Sequence, residues 1–213
     1  MTTDNTFNQR RAWDNEYRNK GKLWGKIPLE STTQTKPGIF LDMGCGDGKN
    51  LRNASMAASR IGFDFSMQAL RLCRTRSELS DVFFVCADAR YLPFKNSCIH
   101  NIDAHHVLGH LLYHDRIQVV NEITRILKPG GELLVTIFGT EDFRSETGVK
   151  IEDGTYLRGN GIITHYFSEM KIQILFPNLI LLSTEPCRWF MHVKNQQLPR
   201  FVWVLKYAKP QNS

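Results

Sequence analysis

The chain has 213 residues, 42% hydrophobic and 23% charged, with a formal net charge of +6. These values describe an ordinary globular protein, one large domain or a domain with an insertion, whose positive balance tilts toward anionic partners. The longest apolar run, residues 175–182, is interrupted by Pro177 and Asn178 and falls well short of the ~20 residues of a membrane span. The five cysteines are odd in number, widely spaced and without a C-x-x-C pair, so neither a disulfide framework nor a metal site is expected, and reduced thiols fit a cytoplasmic protein. The start, Met1-Thr2-Thr3-Asp4-Asn5-Thr6, lacks a basic-then-apolar export signal.

In chain order, residues 1–37 form a polar leader in which Phe7, Trp13, Tyr17 and Trp24 are spaced along the sequence. Trp13 and Tyr17 are four apart and share a face on a helix. The Thr-rich stretch ending in Pro37-Gly38 marks a boundary, and residues 38–213 read as the main domain. From residue 39 to 138 strands and helices alternate. Strands are predicted at 39–43, 60–64, 82–86, 98–104 and 132–138, with helices at 49–58, after Ser66, and at 115–127. The last of these carries a Val119, Ile123, Ile126 stripe and stops at Lys128-Pro129-Gly130-Gly131. Such alternation with short links predicts a doubly wound, mostly parallel sheet with helices on both faces. Residues 140–163 are polar and glycine-rich and read as an insertion or lid. A helix at 168–176 and strands at 178–185 and 200–207 complete the pattern.

The first strand ends in Asp42-Met43-Gly44-Cys45-Gly46-Asp47-Gly48. Glycine suits backbone that takes positive φ or approaches a ligand closely, and a helix start after such a turn favours phosphate or nucleotide ligands. The second strand ends in Asp64, an acid that can accept ribose hydroxyls. The third is followed by Asp88, an acid that can accept from an adenine amino group. The glycine spacing departs from Gly-x-Gly-x-x-Gly of nicotinamide enzymes, and Gly48-Lys49-Asn50 lacks the hydroxyl of a P-loop.

The segment Leu41-Asp42-Met43-Gly44-Cys45-Gly46-Asp47-Gly48 resembles the first motif of class I S-adenosylmethionine-dependent methyltransferases. Asp88-Ala89-Arg90-Tyr91-Leu92-Pro93-Phe94 resembles their D-A-x-x-L-P-F segment. His106-Val107-Leu108-Gly109-His110-Leu111 resembles their V-L-H-H-L segment, and Glu122 to Gly131 their E-I-x-R-V-L-K-P-G-G turn. One departure is Ile99-His100, where the family has Phe-Asp. The leader, with Trp13-Asp14-Asn15-Glu16-Tyr17 and Trp24-Gly25, resembles that of thiol and tellurite methyltransferases.

The resemblance implies a seven-stranded sheet with its last strand antiparallel and S-adenosylmethionine as cofactor. It places the Gly44, Cys45 and Gly46 backbone at the methionine part and counts Asp42 among the cofactor-binding residues. Asp64 then holds the ribose, Phe65 packs on the adenine, and Asp88 with Ala89 brackets its edge. His105 lines the site, and Tyr17 and Trp24 close over the sulfonium. His105 and His106 are the leading candidates for a general base, ahead of His110, His165 and Tyr166. A small-molecule acceptor leads. The alternative is RNA, specifically tRNA, held by the basic and aromatic segment after Glu185. A catalytically inert cofactor-binding scaffold is the third possibility, and no membrane partner is expected.

Overall fold

The computed structural model describes residues 3–23, 37–54, 57 and 59–211. A leading helix, α1 (Thr3–Lys20), precedes a seven-stranded sheet. Its strands are β1 (Ile39–Met43), β2 (Ser59–Asp64), β3 (Phe83–Cys86), β4 (Ile99–His105) and β5 (Leu127–Phe138). They are joined by β9 (Ile180–Val193) and β10 (Gln196–Ala208). The spatial order is β3-β2-β1-β4-β5-β10-β9. The first five pair in parallel, and β10 pairs antiparallel with β5 and β9. Order reverses after β1, so the carboxyl ends of β1 and β4 open a crevice, the usual ligand position in such sheets.

Buried apolar side chains on both sheet faces hold these layers. On one face Leu41, Ile102, Leu133 and Val135 pack with Val119, Ile123 and Ile126 of α3 (Tyr113–Ile126). The other face is covered by a smaller cluster around Phe40, Leu51 and Leu70, the last from α2 (Met67–Arg74). Burial of this kind contributes about 25 cal/mol per Å² of apolar surface. Ser66 caps α2 by accepting the Ala69 N–H at 3.2 Å.

Three expectations are corrected. The predicted helix over 49–58 is only a 3-10 turn, Leu51–Asn53. The segment is short after a three-glycine turn, and no side-chain cap from Asn50 starts a longer helix. The last two strands are much longer than predicted and form one hairpin through Lys194 and Asn195, both at positive φ (45° and 63°). The two-residue turn carries the pairing across the polar segment 186–199, which the sequence reading left outside any strand. The polar segment after β5 also contains regular structure. It forms a separate three-stranded antiparallel sheet of β6 (Val149–Glu152), β7 (Thr155–Leu157) and β8 (Ile163–His165). A short helix, α4 (Glu169–Gln173), follows.

Helix α1 is polar along most of its length, with Ala12 and Tyr17 buried. Glu16 and Lys20 pair at 2.6 Å, and Gly21 ends the helix at φ +64° with its N–H on Tyr17 O at 2.9 Å. Two clasps fix it. Asp14 accepts Ser66 Oγ at 2.6 Å and the Gln68 N–H at 3.2 Å, which ties α1 to the start of α2. Gln9 donates to Gly161 O at 2.8 Å and accepts the Ile163 N–H at 3.2 Å, which ties it to the small sheet. The helix therefore bridges the crevice. Among the described residues no helix is long and apolar enough to cross a membrane.

Candidate functional site

A cavity of about 470 Å³ opens at the carboxyl ends of β1, β2 and β4 and beside the segment that follows β3. Gly44 and Asp64 form its floor, Trp13 and Tyr17 of α1 its roof, and Phe65, Asp88, Ala89, His105 and His106 its sides. Gly44 and Gly46 take φ of +75° and +55°. A Cβ on Gly44 would stand 2.5 Å from Val107 Cγ2, and one on Gly46 2.5 Å from Tyr17 Oη. No other residue type leaves this space open. Phe63 O accepts both the Gly44 and Cys45 N–H groups at 2.7 and 3.0 Å. The Cys45 side chain lies in the smaller core cluster rather than the cavity, and hydrogen bonding to Cys73 and burial push its thiol upward.

Acids concentrate beneath the turn. Asp64 accepts the Gly46 N–H and the Ser66 N–H, each at 2.8 Å, and so shapes the loop as well as lining the cavity. Burial still pushes it up to about 6. Asp42 is fully buried, and neither carboxylate oxygen has a hydrogen-bond partner among the described residues. Burial drives it up to about 7, against the pull of His105. Its register neighbour on β4 is Asp103, which faces His105 Nε2 at 3.5 Å. Burial opposes charge on His105, yet Asp103 and Asp42 outweigh it and raise the imidazole. A buried carboxylate without a partner is costly. Its ionised form, which a bound cation would favour, would place negative charge under the crevice.

The segment after β3 is fastened by the α3 motif. Glu122 accepts the Leu92 N–H at 2.7 Å, and Arg125 donates to Leu92 O at 3.0 Å and Phe94 O at 2.8 Å. That explains why the two sequence motifs occur together. Within the segment Asp88 is clamped by Arg90, Nη2 to Oδ2 at 2.6 Å, and Arg90 also reaches Asp115 at 3.1 Å. Phe65 lies under the Arg10 guanidinium, 5.3 Å from the ring centre.

The histidines divide by environment. His105 is held by Thr136 Oγ1 at 3.2 Å. His106 has left-handed backbone (φ +64°) and stacks on Phe138 at 4.3 Å. Burial pushes it well down. His165 is buried, its Nδ1 2.7 Å from Thr155 Oγ1 and its ring edge-on to Phe167. His110 was a secondary candidate in the sequence, and it stands in a wall shared with a second cavity of about 340 Å³. Its Nδ1 meets Ile163 O at 2.8 Å. A carbonyl only accepts, so Nδ1 carries the proton and Nε2, itself buried and without a described partner, keeps a free lone pair. Burial pulls His110 down to about 4. Trp13 packs edge-on against it at 4.8 Å. Trp24 lies outside the described residues.

Much of the basic and aromatic segment after Glu185 is engaged within the fold. Arg200 is buried against Asp142 at 2.7 Å. Arg188 pairs with Glu141 and Lys206 with Glu132, both at 3.1 Å. Lys209 donates to Thr124 O and Leu127 O. Phe201, Trp203 and Tyr207 are core residues, while Phe190 is exposed. His100, at the family departure, accepts the Ile39 N–H at 3.0 Å from the far end of the sheet.

S-adenosylmethionine suits the first cavity on three grounds. The glycine turn leaves room for close backbone approach, the buried acids match a sulfonium and an ammonium, and aromatic faces line the roof.

Residues 41–135 match the family model described as a methyltransferase domain. The chain is 26% identical over 189 residues to tRNA N(3)-cytidine methyltransferase METTL2B of Homo sapiens, covering 80% of this chain and 50% of that protein. It is 34% identical over 100 residues to the phthiotriol/phenolphthiotriol dimycocerosates methyltransferase of Mycobacterium leprae, covering 44% and 35%. Thus the chain spans about half the length, or less, of these relatives. A SAM-dependent methyltransferase structure from Anabaena variabilis superposes with a TM-score of 0.72 at 15% identity, covering 96% of this chain and 94% of that one. Residues 41–135 thus carry a methyltransferase domain, and the strand order and the superposition agree that its fold is the seven-stranded one of S-adenosylmethionine-dependent methyltransferases.

Proposed function

We propose that the protein transfers a methyl group from S-adenosylmethionine to a small-molecule acceptor lodged in the second cavity. The observation that carries this is the wall of Trp13 and His110 common to the two cavities. Gly44, Asp64, Phe65 and Asp88 with Ala89 would hold the cofactor, and Asp42 would supply negative potential from below. Bound there, S-adenosylmethionine supplies an electrophilic methyl on a good leaving group. The chain's task is to align the acceptor atom and exclude water. Helix α1, clasped by Gln9 and Asp14, covers the crevice. The Trp13 and Tyr17 faces stabilise positive charge by about 0.5–2 kcal/mol. Where the acceptor carries a proton, His110 Nε2 takes it, with the ring oriented by Ile163 O. His105 and His106, the leading bases from sequence, instead support the floor through Thr136, Asp103 and Phe138.

A labelled-methyl transfer assay on cell extract, separated into small-molecule, protein and RNA fractions, tests the reading. Label is expected in the small-molecule fraction, and label confined to another fraction contradicts it. The second reading is a tRNA acceptor, favoured by the METTL2B similarity over 80% of the chain. Label in the RNA fraction would decide for it.

A further inference from the structure

The second cavity has a charge imbalance that the cofactor site does not use. Arg144, after β5, and Arg158, between β7 and β8, both line it, together with Tyr166. Arg158 Nη1 donates to Tyr166 Oη at 3.1 Å and to Arg144 O at 3.2 Å, so the arginine fork is held in place by neutral acceptors. Among the described residues no carboxylate lies within ion-pair distance of either guanidinium. The acids nearby are engaged elsewhere. Glu16, on the same wall, holds Lys20 at 2.6 Å. Asp142 Oδ2 holds Arg200 Nε at 2.7 Å and the Phe201 N–H at 3.2 Å, while its Oδ1 takes the Arg144 backbone N–H at 3.0 Å and its charge offsets that of Arg144 only in part. Arg144 is half-buried, and burial, then the neighbouring Arg200 charge, weakens its hold on its proton. Two partly desolvated guanidiniums with no carboxylate at ion-pair distance among the described residues form a site for an anion, and the planar fork matches carboxylate and phosphate oxygens.

We infer that the second cavity binds its occupant by an oxyanion group, carboxylate or phosphate, clamped by Arg158 and Arg144 with the Tyr166 hydroxyl as a further donor. This rests on the reading of that cavity as the acceptor site. With its anionic end at the arginines, an acceptor extends toward Trp13 and His110, the wall shared with the cofactor cavity. The cavity lies between α1 and the small sheet and measures about 340 Å³, a space that suits a small acid. No local pattern marks this pair, because the two arginines stand fourteen residues apart in a polar insertion.

The test uses the full chain. S-adenosylmethionine binding is first measured by calorimetry in wild type, Arg158→Gln and Arg158→Lys. Orthophosphate and benzoate are then titrated separately into each cofactor-saturated protein. One of the two anions is expected to bind wild type saturably, and which one binds distinguishes a phosphate from a carboxylate acceptor. Arg158→Gln is expected to weaken that binding about tenfold or more, with partial recovery in Arg158→Lys and unchanged cofactor affinity in both. Equal anion binding in wild type and Arg158→Gln, or no anion binding while the cofactor binds normally, overturns the inference. Binding of tRNA that Arg158→Gln abolishes, with neither small anion bound, overturns it in favour of a polynucleotide phosphate. Absence of cofactor binding in wild type would instead overturn the methyltransferase reading beneath it.

Discussion

Asp42 concentrates the conflict between stability and function in one side chain. Its carboxyl sits at about 7 in the fold, against roughly 3.9 in an unfolded chain. The fold therefore favours the neutral form. The stability this confers is complete below about pH 4 and is lost as pH rises through about 7. Asp42→Asn mimics the neutral form and should stabilise the protein by about 2–4 kcal/mol at pH 8, with no gain below about pH 4. Denaturant titrations at the two pH values check this, and a gain equal at both would contradict it. The same variant should bind S-adenosylmethionine more weakly. His110 makes a second residue-scale prediction. His110→Gln should lower the transfer rate about 100-fold while leaving cofactor affinity nearly unchanged, if the acceptor carries a proton to be removed. In wild type the rate should fall only as pH drops toward about 4, because the basic form of His110 prevails above that value. Steady-state rates across pH in both proteins measure it.

At the scale of elements, the parallel strands and α3 were legible because long apolar runs and the Val119, Ile123, Ile126 stripe specify burial directly. The glycine turn and strand-end acids were legible for the same local reason. What escaped depends on contacts between segments far apart in sequence. Gln9 reaches Gly161 and Ile163 across more than 150 residues, and nothing near Gln9 announces it. The small sheet escaped because its strands are only three or four residues long, too short to show a period. Lys194-Asn195 is a hairpin turn without glycine, a weak signal. Gln9→Ala should speed cofactor dissociation several-fold with little loss of melting temperature, since it loosens a cover rather than the core. Stopped-flow displacement and a thermal melt separate the two. Asp142→Ala, by contrast, leaves the Arg200 guanidinium buried and unpaired. It should cost about 3–5 kcal/mol in chemical denaturation.

Across the whole molecule, the +6 charge is less available than the sequence suggests. Arg188, Arg200, Lys206 and Lys209 are tied to partners within the fold. Retention of tRNA should therefore respond weakly to salt, where a phosphate-tracking surface would lose affinity steeply. The arrangement instead gathers charge in two places, acids under the glycine turn and arginines across the Trp13 and His110 wall. That polarity pairs a cationic methyl donor with an anionic acceptor, and the donor side is the foundation of the rest. Calorimetric titration of the full chain with S-adenosylmethionine tests it most directly. The account predicts saturable binding of one equivalent, weakened by about 1–3 kcal/mol in Asp64→Ala. No heat of binding up to about 1 mM cofactor, an affinity worth only about 4 kcal/mol, would contradict it.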